Sequence, residues 1–387
     1  MSQSKQVQSR LLEELRARID KADDELVRIF SERLKIAEEV VSIKKAENLP
    51  IVDTAREREV INRLTKEKND IMAGNIKILY TTIFDLSRSH QARLLHASSA
   101  VGAEISSALQ NTPQLFPKSA VVACQGTEGA NSMVACEKMF ERPSIMYFNT
   151  FEGVFNAVDK NLCQYGILPI ENSLHGSVTG IYELMSKYKF YIVHSVKLKI
   201  NHVLLAKPGV KLTSIKKIYS HEQALAQCSD FLKSLNVAIE PCENTATAAK
   251  MIKESEANDI AAISSMQCAE LYNLNVLSED IQNSDNNYTR FICISKRLEI
   301  YPGARKISLM MTLPHRPGSL YQLMAKFAAL GINLTKLESR PMPEKDFEFM
   351  FYFDLDVSVY DEAVFNLFSQ LEGGNDKFMF LGCYTEL

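Results

Sequence analysis

Asn286-Asn287-Tyr288-Thr289-Arg290-Phe291 is the last of four polar blocks, after Pro169-Ile170-Glu171-Asn172-Ser173, Gly176-Ser177-Val178 and Ser220-His221-Glu222-Gln223-Ala224-Leu225. Each places small hydrogen-bonding side chains where a strand is expected to end. Arg290 adds a planar fork of the kind that holds a carboxylate through two hydrogen bonds. The four blocks together predict a site for an acidic small molecule.

Around them, short apolar runs alternate with helical stretches from Ala120 onward. The runs cover residues 120–123, 165–170, 191–198, 202–206, 215–219, 260–263 and 290–295, and the alternation is that of an α/β domain. Early strands (120, 166) and a late one (291) flank an inserted block of about 200–270, so two lobes are expected, with the polar strand ends facing the cleft between them. Tyr301-Pro302-Gly303 opens a further region that reads strand (306–313), helix (317–330), strand (332–340), strand (346–356), helix (358–371), strand (377–384), a βαββαβ order.

Before the α/β region the chain is helical. Val7 to Lys45 lacks Gly and Pro, and apolar residues recur at Val7, Leu11, Leu15, Ile19, Ala22, Leu26, Ile29, Ala37, Val40 and Ile43, one stripe of a single long helix. At 1.5 Å per residue it runs roughly 60 Å, too long for the shorter helices expected at about 54–72 and 76–97 to cover, so a second chain is expected to cover the rest. Asp53 suits an N-cap, and Gly74-Asn75 is expected to punctuate. Arg33 and Lys44 share a helix face, whereas Arg16 points roughly 100° away and must serve another site. The predicted organisation is a helical domain (5–97), a linker (98–118), a two-lobed α/β domain (119–298) and an α+β domain (303–387).

Composition excludes some partners. The 387 residues carry 44 basic against 47 acidic side chains, a net charge of −3, which provides no field to gather nucleic acid or an anionic membrane. No apolar run is long enough to span a bilayer, and the N-terminus does not read as a signal peptide. A cytoplasmic protein is expected, with small molecules and its own copies as partners. The eight cysteines are scattered without a C-x-x-C pair, so neither a metal site nor a cofactor is expected.

The polar blocks resemble, in order and spacing over about 180 residues, those of the prephenate dehydratases, whose α/β domain is two-lobed and similar to periplasmic binding proteins. The resemblance implies a positioned donor at Thr289 for the leaving hydroxyl, a substrate carboxylate on Arg290, and orienting groups at Glu171, Asn172, Ser173, Ser177 and Thr245. His221 and Gln223 read as capping or lobe-packing residues. Gln125-Gly126-Thr127-Glu128-Gly129-Ala130-Asn131-Ser132 departs from the family's Gly-rich turn, yet keeps the glycines of a tight turn offering amides to an anion.

Residues 11–96 resemble the all-helical chorismate mutases, which build each site from two interlocked chains. The resemblance implies that Arg16 and Arg33 grip the carboxylates of chorismate and that Lys44 and Gln91 donate to the ether oxygen. It further implies that Asp53, Arg56 and Glu57 hold the substrate hydroxyl and that Ser87 binds a carboxylate. A Claisen rearrangement is intramolecular, so such a site needs only to select the compact conformer and stabilise growing negative charge.

The C-terminal region resembles an ACT domain. Gly318, Ser319 and Leu320 with Glu338-Ser339-Arg340-Pro341 imply a phenylalanine effector site. Together the three point to a bifunctional family making phenylpyruvate from chorismate by way of prephenate, as a homodimer or higher homo-oligomer. An arogenate-preferring dehydratase, or an amino-acid sensor with a decayed catalytic unit, are the alternatives.

Overall fold

The computed structural model describes the backbone of residues 2–47, 53–94, 100–178, 180–315, 317–342, 348–361, 364, 367–368, 371–372 and 377–387. The chain forms two compact units: Met1–Gly102 with Leu320–Leu323 and Phe365–Gly374, and Ala103–Ser319 with Met324–Val364 and Asn375–Leu387.

The first unit contains α1 (Ser2–Ala46), α2 (Thr54–Thr65) and α3 (Asp70–Leu94). Asp53 caps α2, its side chain accepting from the Arg56 amide at 2.9 Å. The expected second and third helices divide differently from the reading above. The second ends at Thr65, Glu67 turns the chain in a left-handed conformation, and the Asn69 side chain receives the Met72 amide at 2.8 Å to start α3. Gly74 therefore lies inside α3, where nothing approaches the position of a Cβ. Among the described residues of α1, Ala37 and Val41 are buried, as is Phe84 of α3, whereas Leu11, Leu15, Ile19, Leu26 and Ile43 stay 44–62% exposed. Helix α4 (Ala100–Asn111) occupies part of the expected linker.

In the second unit one sheet runs β13-β14-β12-β15-β5-β11-β3-β1-β2, with β4 added to β3. Its strands are β1 (Val121–Gln125), β2 (Ser144–Phe148), β3 (Tyr165–Asn172), β4 (Gly176–Ser177), β5 (Tyr191–Lys199), β11 (Tyr288–Ser295), β12 (Lys306–Thr312), β13 (Asn333–Pro341), β14 (Phe349–Asp356) and β15 (Phe378–Glu386). The inserted lobe carries a second sheet, β10-β6-β9-β7-β8, built from β6 (Val203–Ala206), β7 (Lys217–His221), β8 (Ala238–Cys242), β9 (Ile260–Ser264) and β10 (Asn275–Ser278). Helices α5 (Asn131–Met139), α6 (Phe151–Asp159), α7 (Ile181–Tyr188), α8 (Glu222–Gln227), α9 (Ser229–Leu235), α10 (Thr245–Glu254), α11 (Met266–Tyr272) and α12 (Ser319–Ala329) complete it.

The C-terminal strands have the order of a βαββαβ module. The described residues between 364 and 372 are helical. The module is joined to the α/β sheet, since β15 pairs parallel with β5 through Thr385 opposite His194 and Glu386 opposite Ser195. Gly382 permits the junction: its φ is +139°, and a Cβ there would collide with the Ile192 carbonyl. One hydrophobic core continues across it, with Ile292, Ile294, Ile181 and Tyr182 packed among Met310, Tyr352, Leu381 and Tyr384. Burying each such side chain contributes about 1.5–3 kcal/mol.

Candidate functional site

Strand β11 lies antiparallel to β3, placing Thr289 opposite Asn172 and Arg290 opposite Glu171, and the register slips just after, between Arg290 and Phe291. Bulges of this kind commonly redirect side chains beside active sites. The Asn172 side-chain oxygen accepts from the Leu174 and His175 amides at 2.9 and 3.1 Å. That fixes the amide, and its nitrogen faces Thr289 Oγ1 at 3.0 Å and Asn287 Oδ1 at 2.9 Å. Thr289 thus receives a hydrogen bond on oxygen while its own proton stays available, and a donor to a hydroxyl oxygen strengthens the hydroxyl as a donor in turn.

The network continues into the inserted lobe. Asn287 Nδ2 donates to Gln227 Oε1 at 3.0 Å, and His202 Nε2 lies 2.7 Å from the same oxygen. Gln227 Nε2 then faces His175 Nδ1 at 3.3 Å, across from the loop that carries Asn172. Burial holds the His202 imidazole below its ordinary value despite its bond to Gln227. His221 caps α8, accepting from the Gln223 amide at 3.3 Å.

Gly126 and Gly129 adopt positive φ in the turn before α5. That turn meets the start of α10: a Cβ on Gly129 would lie 3.8 Å from Ala246 and 2.8 Å from Cys268 Sγ. Thr245, first residue of α10, follows the N-cap Asn244 and is half-buried. Two helix N-termini thus converge, an arrangement favourable to an anion.

Arg290 does not face that space. Its side chain is 2% exposed, with Nη2 donating to Asp354 at 2.6 Å, Nε 2.7 Å from Glu171 and Nη1 3.8 Å from Glu386. Of these only the Asp354 contact has hydrogen-bond geometry, leaving Nε and Nη1 without an aligned acceptor. Burial works against the Arg290 charge, but Tyr384, Asp354 and Glu171 more than offset it and raise its pKa. Arg290, expected to hold a substrate carboxylate, is here engaged by Asp354 beside Glu171, and since successive strand residues point to opposite faces, Thr289 takes one and Arg290 the other.

Other expected ligands are similarly engaged. Ser173 Oγ donates to the Asn286 carbonyl at 2.7 Å and accepts from the Tyr288 amide at 2.9 Å. Ser177 Oγ donates to Glu338 and receives Lys336 Nζ at 2.8 Å, and the same ammonium reaches Glu171 at 2.6 Å. Glu338 also binds Arg340 at 2.8 Å. Gly318 has positive φ ahead of α12, and Ser319 Oγ is buried without a hydrogen-bond partner. Gln227 and Lys336 lie outside the residues expected from the sequence, and Asn287, within the last polar block, had no role assigned to it. Asn287 and Gln227 carried a signal, since one lies two residues before Thr289 and the other ends the helix capped by His221.

In the helical unit, Arg33 donates to buried Ser87 and lies over the Phe84 ring at 5.5 Å. Burial lowers its pKa, against the pull of Tyr80 and Glu57. Glu57 is paired with Arg88, which also binds Asp85. Lys44 and Gln91 are half-buried. Arg56 is turned to the surface against Glu59 at 2.8 Å. Arg16 is exposed and not brought to this cluster, being about 25 Å along the helix from Arg33 at 1.5 Å per residue.

Among the described residues there is no group of His, Cys, Asp or Glu able to hold a metal ion, and no helix is long and apolar enough to cross a membrane. Residues 122–299 match the family model for prephenate dehydratase, and residues 15–92 that for chorismate mutase type II. A bifunctional chorismate mutase/prephenate dehydratase of Aquifex aeolicus is 32% identical over 97% of this chain and 98% of its own. An arogenate dehydratase/prephenate dehydratase of Arabidopsis thaliana is 38% identical over 68% of this chain and 72% of its own. Among solved structures, a prephenate dehydratase of Arthrobacter aurescens in complex with L-Phe superposes with a TM-score of 0.63 at 29% identity, covering 68% of this chain and 89% of that one.

Proposed function

Since this chain belongs to the bifunctional chorismate mutase/prephenate dehydratase family, converting chorismate to prephenate and prephenate to phenylpyruvate, we propose which residues perform each step and what restrains the second. Thr289 is the hydroxyl donor to the leaving ring hydroxyl, polarised by Asn172, and the Asn172–Thr289 hydrogen bond is the observation that carries this reading. Gln227 and Asn287 extend that centre across both lobes. The convergent N-termini of α5 and α10 take the substrate carboxylate in place of Arg290. Loss of CO2 and water aromatises the ring, so a positioned hydrogen bond and proton suffice at the leaving group.

For the mutase, Arg33, Ser87, Lys44, Glu57 and Gln91 form one part of the site, and Arg16 of a second copy supplies the remainder. The exposed apolar stripe of α1 supports such a dimer. Within this chain Arg88 already occupies Glu57, so Glu57 accepts the substrate hydroxyl as half of that pair.

The βαββαβ module is read as an ACT domain whose Gly318–Leu320 and Glu338–Pro341 segments take L-phenylalanine and restrain the dehydratase. Phenylalanine in the Arthrobacter complex supports this. A two-stage assay tests all of it: chorismate consumption and phenylpyruvate formation followed separately, with and without phenylalanine. Both conversions, with only the second suppressed by phenylalanine, are expected; prephenate accumulation with turnover of arogenate would transfer the second activity to the aminated substrate.

A further inference from the structure

We propose that Lys336, on β13 of the C-terminal module, is a positioning residue for the dehydratase: it staples the β3–β4 hairpin and so holds Asn172 against Thr289. This rests on Asn172 and Thr289 forming the dehydratase centre, which a Thr289 variant tests independently.

The hairpin has few bonds of its own, chiefly the Leu174 and His175 amides on Asn172 and the Val178 amide on the Ile170 carbonyl. Strand β4 has two residues, Glu171 paired with Ser177 and Asn172 with Gly176, and so short a pair is not stable alone. Lys336 Nζ reaches across that rung, 2.6 Å from Glu171 and 2.8 Å from Ser177. It is itself held, 13% exposed, 5.2 Å over the buried Tyr182 ring and 3.6 Å from Glu338. Glu171 therefore sits between two cations, Arg290 from the neighbouring strand β11 and Lys336 from the C-terminal module. Removing one leaves a carboxylate half-compensated next to Asn172. Charge-assisted bonds of this kind also fix geometry, and small displacements near a reacting group are amplified in rate.

The test is made in the full-length chain. Lys336→Met is expected to lower kcat for prephenate dehydration about tenfold, with KM changed less than twofold and the mutase rate and unfolding midpoint unchanged. Lys336→Arg is expected to restore most of the loss, because a guanidinium can span the same rung. On a Glu171→Gln background Lys336→Met is expected to add nothing, since it acts through that carboxylate. An unchanged kcat, or the same further tenfold loss on the Glu171→Gln background, overturns the proposal. Should Lys336→Met lower the unfolding midpoint, Lys336→Gln decides in its place: it retains a donor for Ser177 without charge for Glu171, and a kcat equal to that of the parent chain refutes the positioning role.

Discussion

The helical unit and the α/β unit solve the same problem, holding an anionic substrate, with opposite degrees of self-sufficiency. In the first, α1 leaves Leu15, Ile19 and Leu26 at 44–62% exposure, and Arg16 is remote from Arg33. In the second, strands as far apart in the chain as β1 and β15 share one sheet and a core, and Asn172, Thr289, Asn287 and Gln227 meet within one chain. In the arrangement proposed above one unit takes Arg16 from a second copy, while the other draws its centre from distant parts of the same chain.

The sharpest way to break that comparison is to disable one site and watch the other. Thr289→Val keeps the β-branched shape and removes the hydroxyl; the dehydratase rate should fall about 10³-fold, the scale of a lost positioned donor, with the mutase rate unchanged. Lys44→Ala should do the reverse. A Thr289→Val enzyme within tenfold of the parent would remove Thr289 from the chemistry.

The next effect addresses self-sufficiency directly. Leu26→Glu places a charge in the exposed stripe and is expected to shift sedimentation toward the single chain and cut mutase turnover about 10²-fold, leaving dehydratase turnover within twofold. Mixing Arg16→Ala with Arg33→Ala chains sharpens it. If each site draws Arg16 from one chain and Arg33 from the other, half the dimers are hybrids with one intact site in two, and about a quarter of the parent activity returns. No recovery would mean that each chain builds its mutase site alone.

Gly382→Ala probes the junction on which the second unit relies. A Cβ would meet the Ile192 carbonyl, and φ of +139° suits few other residues. Strain of this sort costs about 2 kcal/mol, lowering the dehydratase unfolding midpoint by roughly 4–8 °C while sparing the helical unit.

Much of this was legible in the sequence because it is local. The stripe of α1, the cap at Asp53, the βαββαβ order and the proximity of the polar blocks all follow from period, caps and strand ends. The burial of Arg290 follows the same logic, since neighbouring strand residues point to opposite faces. Gly74 misled because a glycine in an open helical turn costs only about 1 kcal/mol, less than Asn69 and Glu67 decide between them. Lys336, Asp354 and the β15–β5 junction could not be read, because they depend on which distant strands become neighbours, and nothing in residues 333–341 alone points to Glu171.

The smallest effect separates the units by pH. His202 and His194 are buried, and desolvation lowers both below the ordinary 6.5, against hydrogen bonds from Gln227 and from the backbone of Ser195 and Thr385 that raise them. As pH falls through 6.5, the unfolded chain binds protons at these positions before the folded one does, so their stabilisation is present above 6.5 and lost on acidification. Glu386 acts lower: burial raises its pKa, but Lys306, Lys197 and Arg290 prevail and depress it. Its contribution therefore survives until below the ordinary carboxylate value of 4.5. The dehydratase unfolding midpoint should drop between pH 7 and 5.5, and His202→Gln, which retains a donor for Gln227, should flatten that slope without moving the mutase transition. A slope unchanged in His202→Gln would assign the acid sensitivity elsewhere, with His194, also depressed and pressed against Phe116 with ring centroids 4.9 Å apart, the next position to replace.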